Sequence, residues 1–216
     1  MRLFTKLLGS ALIALATTQT ANAATFDFVS YASGNEGSYN PYVSPTVDGI
    51  TITATGQQTL SNGETDTGKT AYAYLDDHWS QRDAGLGVCK TFTTGCGADD
   101  NVTDDEKLTL DFGQVVTITE ITMANGDHYT NNWDGDFGLR IDGGSWQTIA
   151  LAAIFNTPIT GTIFEFWNNN GSRDANKEFY ISTMTVSAVP IPAAIWLFGS
   201  VMLGFVGIRR NNKKPA

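Results

Sequence analysis

Between Lys107 and Phe112 the chain reads KLTLDF, so Leu108, Leu110 and Phe112 fall on one side of an extended backbone and Lys107, Thr109 and Asp111 on the other. Alternation with period two and one polar side predicts an antiparallel sheet that packs one face on a core and wets the other. Similar short runs recur over Phe26 to Tyr31, Gly49 to Ala54, Ala71 to Leu75, Val115 to Ala124, Phe137 to Ile141, Trp146 to Ala150, Ile163 to Trp167 and Glu178 to Val186. Polar, Gly-rich and Asn-rich stretches separate them, and no helical period competes. Such a series predicts an all-β domain, an antiparallel β-sandwich of jelly-roll type. Asp142-Gly143-Gly144 predicts a hairpin turn between two runs, and Phe112-Gly113-Gln114 a second.

Charge is distributed unevenly along the 216 residues, which carry 13 bases and 22 acids. Arg2 and Lys6 precede the first long apolar run, and Arg209, Arg210, Lys213 and Lys214 follow the last. All 22 acids lie between those runs against seven bases, so the middle of the chain has a net charge of −15. A body that acidic repels phosphate backbones, which excludes nucleic acid as a partner.

Both ends read as membrane signals. Arg2 and Lys6, the apolar run from Leu7 to Thr18 and the small-x-small triplet Ala21-Asn22-Ala23 form a secretory signal peptide over residues 1–23, with cleavage before Ala24 and export by the Sec machinery. A buried N-terminal helix is the alternative. At the other end, Val189-Pro190-Ile191-Pro192-Ala193 opens residues 189–216, a segment in which 193–208 is free of charge. As a helix that stretch is about 24 Å long at about 1.5 Å per residue, against a hydrocarbon core of about 30 Å. Snorkelling of Arg209 and Arg210 would close the gap, giving one transmembrane helix. Pro190 and Pro192 hold the preceding strip extended, and Pro192 suits a first helical position. The basic cluster behind the span would stay cytoplasmic and leave residues 24–188 outside.

This order resembles the PEP-CTERM sorting domain of Gram-negative bacteria, in its Val-Pro-Leu-Pro-Ala variant. The matching residues are Val189, Pro190, Pro192, Ala193, Trp196, Leu197, Gly199, Ser200, Gly204, Gly207, Arg209 and Arg210, with Ile191 where Leu is usual. The resemblance implies a substrate of exosortase, an inner-membrane processing enzyme that cuts near the proline motif. It further implies delivery of the ectodomain to the cell surface or the extracellular polysaccharide matrix. A plain single-pass anchor is the alternative. GLGVC at Gly85 to Cys89, Asp99-Asp100-Asn101, and E-x-L-x-L-x-F from Glu106 to Phe112 are similar to a recurring ectodomain of such sorted proteins. That looser likeness spans residues 70–188 and implies a secreted β-sandwich.

The middle offers several chemistries. Cys89 and Cys96 enclose CKTFTTGC, which is not a C-x-x-C spacing, and in an exported chain they predict a disulfide. Eight acids between Asp76 and Glu106 face only Arg82 and Lys90, and a second cluster runs through Asp127, Asn131, Asn132, Asp134 and Asp136. Carboxylates grouped in this way suit Ca²⁺, with Asp99, Asp100, Asp104, Asp134 and Asp136 as ligands, although the EF-hand series is missing and a solvated acidic loop explains them as well. Most aromatics sit in alternating runs and read as core, whereas Trp79, Tyr129 and Trp133 fall in loops beside Gly, Asp and Asn, where they would contact carbohydrate.

Catalytic signals are weak. With His78 and His128 as the only histidines a three-His zinc site is impossible, and neither G-x-S-x-G nor a dinucleotide fingerprint occurs. The sequence therefore leads to a non-enzymatic surface or matrix protein associated with exopolysaccharide. Its rival is a secreted glycoside hydrolase or lyase using Asp134 or Asp136 as acid or base.

Overall fold

Antiparallel pairing dominates the computed structural model, which describes residues 22–77, 84–97, 100–129, 133, 135–169 and 177–190. The signal-peptide run with Ala21, and the sorting segment from Ile191 through Pro192 and Ala193 to Arg209 and Arg210, lie outside the described residues. Among the described residues no helix is long and apolar enough to cross a membrane.

In chain order the elements are β1 (Ala23–Asp27), α1 (Phe28–Ala32), β2 (Gly37–Tyr39), β3 (Tyr42–Val43), β4 (Thr53–Gln58), β5 (Tyr72–Asp76), β6 (Gly85–Cys89) and β7 (Glu106–Asn125). After them come β8 (Asp136–Ile141), β9 (Gln147–Ala150), α2 (Leu151–Asn156), β10 (Ile159–Trp167) and β11 (Phe179–Ala188). All strands belong to one hydrogen-bonded sheet.

The 20-residue β7 is its spine. Its first half lies between β4 and the second half of β10, with Leu108 opposite both Gly56 and Phe166. Its second half pairs with β11, where Phe179 opposes Asn125 and Ala188 opposes Val116. Beyond β10 the sheet continues through β8 to β9, and beyond β11 through β6 and β5 to β2, while β1 pairs with β11 from Ala23↔Ser187 to Asp27↔Thr183.

The KLTLDF alternation holds for the core side: Leu108, Leu110 and Phe112 are buried, the last with its ring edge-on to Phe164 at 5.7 Å. Burying each such side chain contributes about 1.5–3 kcal/mol. Four details depart from the sequence reading. Phe112-Gly113-Gln114 is no hairpin; Gly113, at φ 63 with its N–H donated to Asp111 Oδ1 at 2.8 Å, bends the strand without reversing it, and β10 shifts register between Gly161 and Ile163 beside it. The run from Phe26 to Tyr31 divides into β1 and α1 because the Asp27 carboxylate accepts the Ser30 N–H at 3.0 Å and caps a short helix. Lys107, placed by alternation on the wet face, is 2% exposed and paired with Glu165. Finally, GLGVC is itself a strand, β6, and all five of its residues are buried.

Asp142 and Gly143, at φ 50 and 70, make the expected tight turn after β8, closed by a 2.9 Å bond from Gly144 N–H to Ile141 O. Cys89, the last residue of β6, forms a disulfide with Cys96. Tyr74 fastens the same loop, its hydroxyl accepting the Cys96 N–H at 3.1 Å and donating to Glu36 Oε1 at 2.7 Å.

Candidate functional site

At the end of β7, Asn125-Gly126-Asp127-His128 closes on itself through a 2.8 Å bond from the His128 N–H to the Asn125 carbonyl, with His128 at φ 64. Asn125 Oδ1 accepts the next N–H, that of Tyr129, at 3.0 Å. This turn brings the His128 ring edge-on to the ring of Tyr180 in β11, with centroids 5.3 Å apart. Asp76, the last residue of β5, and Asp100, in the segment between the disulfide loop and β7, complete the group.

The segment carrying Asp100 comes close because β6 lacks side chains where it passes. A Cβ on Gly87 would lie 2.0 Å from the Asp100 carbonyl oxygen, and one on Gly85 would lie 2.5 Å from the Ile181 carbonyl oxygen in β11. The two glycines of GLG therefore serve close backbone approach.

The cluster is buried, with Asp76 at 1%, Asp100 at 7%, His128 at 8% and Tyr180 at 0% exposure. Asp76 Oδ2 stands 3.3 Å from His128 Nδ1, and His128 Nε2 stands 3.2 Å from the Tyr180 hydroxyl. That hydroxyl donates to Asp100 Oδ1 in a very close contact. One donor atom each from Asp76, Asp100 and His128 lie within 4.8 Å of one another. Glu178, also buried, borders the group and accepts from Asn101 Nδ2 at 3.1 Å. Burial raises the Tyr180 hydroxyl well above its ordinary range, and the negative charges of Asp100, Asp76 and Glu178 raise it further, so it stays protonated as a donor. Two carboxylates, one imidazole and a phenol in that arrangement suit proton sharing or a cation.

A second polar group lies on β7, β8 and β10. Glu165 receives Arg140 through both of its oxygens and Lys107 through one, while Arg140 Nη1 reaches Glu64 Oε1 at 2.8 Å. The Arg140 guanidinium stacks 4.6 Å over Trp146, and Trp146 contacts Trp167 at 5.4 Å. Burial pushes the Glu165 carboxyl up, but the hydrogen bonds and charges of Arg140 and Lys107 outweigh it and hold the group below its ordinary range. Arg140 is correspondingly raised by its bonds to Glu165.

Of the expected cation ligands, Asp100 joins the buried cluster. Asp104 is half-buried, and its backbone carbonyl accepts the Trp167 indole N–H at 3.1 Å. Asp136 is exposed at the start of β8. The described residues thus gather Asp100 with Asp76 and His128, and not with Asp104 or Asp136; Asp99 and Asp134 lie outside the described residues. Among the expected sugar contacts, Tyr129 is 46% exposed and Trp79 lies outside the described residues. Trp133 is corrected to core: it is 2% exposed, with Phe179 at 5.1 Å and Phe137 at 6.0 Å, and its ring has no free face for a sugar.

Sequence reasoning missed Asp76, His128 and Tyr180 as a group. The rarity of histidine was the one available signal, since four contributions from distant parts of the chain leave no local spacing. Comparison of the chain with protein-family models, curated proteins and solved structures returns no match.

Proposed function

We propose that this chain is an exported, non-catalytic surface or extracellular-matrix protein. The Sec machinery delivers it, the span at 193–208 holds it in the inner membrane, and exosortase processes it at the proline motif. The mature ectodomain, residues 24–188, is a β-sandwich formed by the two differently partnered halves of β7, and it associates with exopolysaccharide.

The single observation that carries this reading is the C-terminal order of Val189-Pro190-Ile191-Pro192-Ala193, an uncharged span, and Arg209 with Arg210. Strand boundaries support it. Ala23 opposes Ser187, so the two cut sites flank neighbouring strand ends and leave the paired strands almost whole. The last bond of the sheet there runs from the Val189 N–H to the Val115 carbonyl at 3.1 Å, and Pro190 follows with no N–H to extend it.

Mass spectrometry of the protein recovered from its native host tests both ends together. The expected product starts at Ala24 and ends near Pro190. Recovery of the intact polypeptide, with Met1 and Ala216, overturns the reading. Release of reducing ends from bacterial polysaccharide, lost in Asp134→Asn, would replace it with the hydrolase or lyase alternative.

A further inference from the structure

The proton of Tyr180 fixes the order of bonds in the buried cluster. A carboxylate only accepts, so the Tyr180 hydroxyl donates to Asp100 Oδ1. Its 3.2 Å contact with His128 Nε2 is then a bond in which the ring N–H donates and the phenol oxygen accepts. If the imidazole carries that proton alone, the lone pair of Nδ1 faces Asp76 Oδ2, 3.3 Å away. A lone pair and a carboxylate oxygen hold that position with a cation between them. The separation exceeds the roughly 2.7–2.9 Å of a charge-assisted N–H···O bond. It agrees with the edge of about 3.0–3.4 Å between two ligands that each lie about 2.1 Å from one metal ion.

From this geometry we propose that Asp76, Asp100 and His128 bind one divalent cation of the zinc and manganese class, with Tyr180 as the positioning residue that orients both Asp100 and His128. The pattern is that of a ligating histidine whose second ring nitrogen is fixed by a hydrogen bond of its own. An imidazole nitrogen selects against Ca²⁺, which takes six to eight oxygens, and in favour of Zn²⁺ or Mn²⁺. This inference is independent of the sorting reading, because it concerns the interior of the sheet and holds whether or not the tails are removed.

The test uses the full chain, stripped with a chelator and then titrated separately with Zn²⁺, Mn²⁺ and Ca²⁺ while the melting temperature is followed. Zn²⁺ or Mn²⁺ at about hundredfold excess over its dissociation constant should raise the melting temperature by about 5–10 °C, with no such shift from Ca²⁺. His128→Gln should abolish the response. Should that variant fail to fold, Co²⁺ titration of the unsubstituted chain gives a second reading, visible d–d absorption that excess Zn²⁺ removes. Absence of both the absorption and the thermal shift would mean that a proton occupies the position, and the proposal falls. A Ca²⁺ response equal to that of Zn²⁺, or a Zn²⁺ response retained in folded His128→Gln, also overturns it by placing the ion elsewhere.

Discussion

Glu165 shows what a single residue can decide in this sheet. Its carboxylate holds Lys107, which is 2% exposed, and Arg140, which keeps a separate bond to Glu64. Removing Glu165 therefore strands a buried ammonium, whereas removing Lys107 leaves Glu165 still paired with Arg140. Glu165→Gln should lower stability by about 3–5 kcal/mol, the cost of an uncompensated buried charge, and Lys107→Met by clearly less. Urea unfolding at neutral pH measures both, and equal losses would show that the pair, not the stranded cation, sets the cost. The pH dependence has a defined sign. Because the folded carboxyl titrates below its ordinary value, its contribution is complete above the unfolded pKa of about 4.3 and is lost as pH falls through the folded value. Melting temperature should drop through that acid window, and less steeply in Glu165→Gln. Alternation in KLTLDF assigned Lys107 to the correct face of β7 but could not show what covers that face. The cover includes Trp146, whose ring lies 5.9 Å from the Lys107 ammonium and which comes from the loop between β8 and β9.

Among the elements, β6 was the hardest to read and the most consequential for the cluster. Both its faces are buried, so GLGVC shows no alternation, and its glycines suggest a turn until the neighbouring backbones are known. Gly87 lies where a Cβ would meet the Asp100 carbonyl at 2.0 Å, while Gly95, in the exposed disulfide loop, has nothing within 4 Å of a built Cβ. Gly87→Ala should cost about 1–3 kcal/mol by forcing backbones apart, and Gly95→Ala should change stability by no more than about 0.5 kcal/mol. Thermal unfolding of the two variants side by side checks the contrast, and similar values would mean that the segment bearing Asp100 yields freely. β7 failed differently. Its two alternating halves were legible, and Gly113 marked the place of a change in direction, but whether a glycine reverses or merely bends a strand depends on β10 pairing along both halves. The cluster has the same origin: Asp76, Asp100, His128 and Tyr180 come together through strand order, which no local spacing encodes.

For the molecule as a whole, the uneven charge has a mechanical consequence. Seven bases face 22 acids between the two apolar ends, and several of those bases are already committed. Lys107 and Arg140 converge on Glu165, Lys90 lies 2.9 Å from Asp105 and 3.8 Å from Glu106, and Lys69 lies 3.5 Å from Asp66. With acids in such excess the net charge is self-repulsive, and an excess of one sign destabilises a compact state. Salt shortens the reach of that repulsion from about 10 Å at 0.1 M to about 3 Å at 1 M, while the buried bonds of Glu165 are screened far less. Sodium chloride should therefore raise the melting temperature by a few degrees, with chelator present throughout so that the Asp76–Asp100–His128 group does not contribute. A melting temperature that falls with salt would mean that exposed pairs such as Lys69–Asp66 outweigh the repulsion, contrary to the small value of such pairs in water. The same screening should act most strongly in the body freed of its basic tails, since Arg2, Lys6, Arg209, Arg210, Lys213 and Lys214 offset part of the acidic excess in the intact chain.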